Sequence, residues 1–113
     1  MGAEEKIKPE EGMAVLRKWW EEYTPLRVYF TATGFGADFN CGISSIIGTL
    51  LTLNLEGLSM APWFELRGCL FSYGDPPAPI ATQQVHSGRR YESALLVRSS
   101  SGSWSLAFMD LSV

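Results

Sequence analysis

Two adjacent arginines, Arg89 and Arg90, follow Gly88 and the only histidine of the chain, His86. A pair of guanidiniums beside a glycine can hold a phosphate or a carboxylate, because their planar N–H forks match the geometry of an oxyanion. With Arg67, these residues form the candidate site for a small anionic ligand. The competing reading of the doublet is a solvated strand entry with Glu92 as charge partner. An imidazole titrates near neutrality and can act as a base, but spacing places no carboxylate or nucleophile beside His86, which reads as a surface residue. Asp38, Asp75 or Asp110 and one of many serines complete a Ser-His-Asp triad only on paper, with no G-x-S-x-G context. No residue is assigned a catalytic role, and an enzyme is the least favoured class.

Other site chemistry is equally thin. Gly34-Phe35-Gly36 lacks the third glycine and the following helix that dinucleotide binding needs, so no cofactor is expected. Cys41 and Cys69 each lie in an apolar stretch with no second Cys or His at metal spacing. They read as buried free thiols, with no metal site, and point to a reducing, cytoplasmic setting.

The elements that would position these groups follow from hydrophobic rhythm. Residues 1–8 are polar and expected to fray. Pro9 suits a first helical position, and Glu10 and Glu11 complement the dipole there. Met13, Leu16, Trp20 and Tyr23 then recur at spacings of three and four, which predicts an amphipathic helix over 9–23, stopped by Pro25. Past Pro25 the period becomes two. Leu26, Val28, Phe30 and Ala32 form a first strand, Phe39, Cys41 and Ile43 a second, and Ile47 to Leu55 a third. Trp63–Tyr73 reads as a fourth strand bent at Gly68. A Pro-rich loop over 74–90 precedes a final hairpin that turns at the serine run 99–103. The expectation is an α+β fold in one domain, 1–113. An N-terminal helix is followed by a β-meander over 26–111, forming a strongly bent antiparallel sheet or small barrel of five to six strands.

Bulk properties exclude several classes. At 113 residues, with 46% hydrophobic and 19% charged residues, the chain can bury a core without disulfides or metals. A formal charge of −3, with all three lysines between Lys6 and Lys18, disfavours broad nucleic-acid binding, which needs a basic face. The N-terminus is too acidic for a signal peptide. Phe39–Leu55 carries no charge, but its Asn, Ser, Thr and Gly content fits two strands better than a membrane span, so no membrane association is expected.

Val28-Tyr29-Phe30, the turn glycines, Phe39-Asn40-Cys41-Gly42-Ile43 and Leu66-Arg67-Gly68 resemble the two sequence motifs of Sm-like proteins over about half the chain. The resemblance implies a helix followed by a bent five-stranded barrel. Where that family places the aspartate and asparagine that hold an RNA base, this chain has Ile47 and Leu51. RNA binding is therefore the third-ranked function.

The first-ranked function is a non-enzymatic interaction or oligomerisation module, resting on four tryptophans in a short chain with 12% aromatic residues. Trp19 and Trp20 are neighbours on the helix and point about a quarter-turn apart, so one faces the core and the other a rim or interface. With Trp63 and Trp104 they are the candidate interface residues. The expected partner is a second copy, forming a homo-oligomer; another protein or a small anion is the alternative.

Overall fold

The computed structural model describes residues 4–80 and 93–112. Its order is β1 (Glu5–Ile7), α1 (Pro9–Glu21), β2 (Leu26–Ala32), β3 (Phe35–Ile47), β4 (Leu50–Leu55), β5 (Trp63–Glu65), β6 (Leu70–Gly74), β7 (Ala94–Arg98) and β8 (Trp104–Asp110). All eight strands belong to one antiparallel sheet in the order β1-β6-β7-β8-β2-β3-β4-β5. This corrects the expected fold. Among the described residues the structure is a single open sheet of eight strands, β1 and β5 at its two ends do not pair, and a strand precedes the helix.

The extra strands come from places where local pattern misleads. Glu5–Ile7 is too short and polar to show alternation, yet it pairs with Phe71–Tyr73 of β6. The apparent fourth strand is two strands, interrupted at Leu66–Cys69, where Gly68 takes φ 76°. At that point the chain leaves one end of the sheet for the other, so the strands form two meanders joined by a crossover. Six interstrand steps separate β5 from β6, about 29 Å in a flat sheet at roughly 4.8 Å per step. Glu65 and Leu70 are joined by a chain that reaches at most roughly 18 Å, at about 3.5 Å per residue. The sheet must therefore curl.

Helix α1 fills the hollow of that curl, with contacts to β3 and β6. It starts on Pro9, carries Glu10 and Glu11 in its first turn, and buries Met13 and Leu16. Gly12 permits the closest approach. A Cβ there would fall within the Phe71 ring of β6, so the glycine that weakens the helix locally is what seats it. Arg17 donates to the Gly48 carbonyl at 3.3 Å and ties the helix to the β3–β4 turn. The helix ends on Tyr23 at φ 53°, with the Tyr23 N–H on the Trp20 carbonyl and the Thr24 N–H on the Trp19 carbonyl. That is the double hydrogen bond of a left-handed C-terminal cap.

The inner face of the sheet makes the core. Leu26 and Val28 of β2 stand with Cys41, Leu53, Phe71, Val97, Leu106 and Phe108 in one buried cluster around the helix. The β3–β4 ladder slips between Ile43 and Ser45. This one-residue bulge swaps faces beyond it, because a strand alternates sides at every residue. Ile46 therefore turns inward and is buried, while Ile47 turns outward and is 71% exposed.

A smaller cluster lies on the outer face, where Ile80 packs with Ala94, Ala107 and Met109. Beside it Arg27 donates to Asn40 at 2.8 Å and pairs with Asp38.

Candidate functional site

Helix α1 packs against the inner face of the curled sheet, and the candidate surfaces among the described residues lie outside that core.

The buried groups have little chemistry to offer. Burial pushes the Cys41 thiol up to about 12. Cys69 is also raised, first by burial and then by the nearby Glu65 carboxylate. Both cysteines are free and buried. A thiol whose ionisation is pushed up in this way is a weak nucleophile at neutral pH. The Tyr73 hydroxyl is raised by burial, with Glu11 and Glu5 adding to the shift. Among the described residues no group of three His, Cys, Asp or Glu side chains is placed to hold a metal ion, and no helix is long and apolar enough to cross a membrane. The uncharged stretch from Phe39 to Leu55 folds as most of β3 and all of β4.

The proposed anion cluster is not assembled by the described part of the chain. Arg67 lies in the turn after β5 with its side chain 85% exposed, 3.6 Å from the Glu65 carboxylate. His86, Arg89 and Arg90 lie outside the described residues.

The tryptophans separate into two groups. Trp19 and Trp20 are half-buried against the core, and the Trp19 ring centroid is 6.3 Å from that of Phe108. Trp104, also half-buried, begins an aromatic chain: its ring lies 5.7 Å from Phe64, which lies 5.7 Å from Phe30. Trp63 alone is exposed, at 66%.

Its position gives the exposure meaning. Trp63 opens β5, a three-residue strand that forms the end of the sheet and pairs on one side only, with β4. Pro62 fixes where that strand begins. Its carbonyl accepts from the Leu53 N–H at 2.9 Å, but it has no N–H to return, so the ladder stops there. Ile47 shares the outer face at this end, because Ile47 pairs with Leu50 and Leu50 pairs with Glu65. Leu58 and Met60, in the segment leading to β5, are exposed as well. Four large apolar side chains are thus exposed on the last strands and loops of this side of the sheet, Ile47 by the β3–β4 turn and Leu58 and Met60 beyond the other end of β4. Of these only Trp63 is identifiable from the sequence. Ile47 reads there as a core residue because nothing in the pattern reveals the bulge, while Leu58 and Met60 have no periodic signature.

No protein-family model, curated protein or solved structure matches this chain. The functional reading therefore rests on these surfaces.

Proposed function

We propose that this protein is a non-enzymatic interaction module that associates with a second copy of itself through the β5 end of the sheet. Trp63 carries the reading. A large indole exposed on an open strand edge is energetically unfavourable in isolation, and exposed tryptophan is enriched where proteins meet. An unpaired edge also supplies a row of backbone donors and acceptors that a second strand can satisfy. Ile47, Leu58 and Met60 are further exposed apolar side chains on the same side of the sheet.

Size-exclusion chromatography with light scattering tests this directly. The wild-type chain is expected to run as a dimer or larger species, and Trp63→Arg as a monomer with unchanged circular dichroism. A wild-type chain that stays monomeric at high concentration overturns the proposal.

A further inference from the structure

The outer face of β2, β8 and β7 carries a groove separate from the β5 end. Two hollows, of about 260 and 300 Å³, share Thr31, Arg98 and Ser105 and so form one depression. Tyr29 and Thr31 of β2, Ser105 of β8 and Arg98 of β7 line it, and Asp75 and Pro77 from the segment after β6 stand at its side. Thr31 and Ser105 face each other across the ladder, and their hydroxyls are hydrogen-bonded. That bond uses one of two hydroxyl protons and leaves the other, with several lone pairs, for a ligand. Arg98 holds Glu4 through two N–H groups, at 3.0 and 2.6 Å. Its charge is therefore met, while the guanidinium keeps further N–H donors. The Tyr29 hydroxyl reaches over Gly36, where a Cβ would lie 2.7 Å from its oxygen.

We propose that this groove binds a small neutral saccharide. The lining offers hydroxyls that donate and accept, an ion pair with spare donors, and the apolar Leu96 and Ala107 of the same face. A sugar ring matches this combination, with hydroxyls at its edge and C–H groups on its face. An anion is a poor fit, because Glu4 already neutralises the arginine. A purely apolar ligand is equally poor, because it would cover the hydroxyl proton that the Thr31–Ser105 bond leaves over and the spare Arg98 donors without replacing their water. Each hollow is near the lower end for small-molecule clefts, about 300 Å³, which suits one sugar ring in each.

Titration of the full chain with glucose, maltose and myo-inositol, followed by amide NMR shifts, tests the assignment. At least one probe is expected to give saturable shifts confined to amides around Thr31, Arg98 and Ser105. The double variant Tyr29→Phe, Thr31→Val should weaken that binding about tenfold, the equivalent of one or two hydrogen bonds. Tyr29→Phe alone keeps the ring and serves if the double variant does not fold. Unsaturable or scattered shifts with all three probes overturn the proposal. So does wild-type affinity in the folded variant, or tighter binding of citrate than of any neutral probe.

Discussion

The inner and outer faces of this sheet are built from the same strands, residue by residue in alternation, and differ almost completely in what seals them. Inside, Val28, Leu53, Val97 and Phe108 are at most 1% exposed because the sheet curls and α1 fills the curl. Outside, only part of the surface is dry. Ile80 covers Ala107 and Met109, while the neighbouring stretch is left to the polar pairs Thr31–Ser105 and Arg98–Glu4. Among the described residues, one face is thus sealed by a whole helix, and the other is covered in part by Ile80. The comparison teaches that the surface available for binding is set by how much of the outer face that partial cover leaves open.

The largest test of this contrast compares one substitution on each face. Phe108→Ala should destabilise the protein by about 3–5 kcal/mol, the range for emptying a large aromatic from a packed core. Thr31→Val, on the outer face, should change stability by about 1 kcal/mol or less. Equilibrium denaturant unfolding measures both, and equal effects would break the distinction. A second test asks whether the inner face is dry. The folded state holds the Cys41 proton up to about 12, against 9.0 for an ordinary thiol. Above pH 9 the folded chain therefore binds more protons than the unfolded one, and stability falls as pH rises. By about pH 11 the loss should be on the order of 2–3 kcal/mol, present below pH 9 as full stability and missing from the pH profile of Cys41→Ala. A third test probes where helix meets sheet. Gly12→Ala should raise intrinsic helix propensity yet destabilise by about 1–3 kcal/mol, because the new methyl displaces the Phe71 ring. Thermal or denaturant unfolding showing a gain in stability would mean that the helix does not sit against β6 this closely.

The parts of the fold that the sequence makes readable are those governed by neighbours in the chain. Pro9, Glu10 and Glu11 start the helix, and the three-and-four spacing of Met13, Leu16 and Trp20 chooses its buried side. The alternation from Leu26 to Ala32 marks β2 on its own. Less could be read at the candidate surface. Trp63 is recognisable as a large aromatic near a proline, but its exposure depends on β5 ending the sheet. The Thr31–Ser105 pair joins residues 74 positions apart, a separation at which no local pattern operates. Arg67, by contrast, lies 3.6 Å from the carboxylate of Glu65, only two residues away at the end of β5.

Local order therefore decided where the chain is helical, where it alternates, and that it would build a core from both. The number of strands in the sheet, its curl around α1, and the identity of the open edge came only with the tertiary structure. Strand pairing depends on backbone hydrogen bonds whose partners are unspecified by residue type, so register and order are chosen by the global packing of apolar faces. A single bulge at Ser44 shows the consequence: it moves Ile46 into the core and Ile47 onto the surface without altering the composition of either strand.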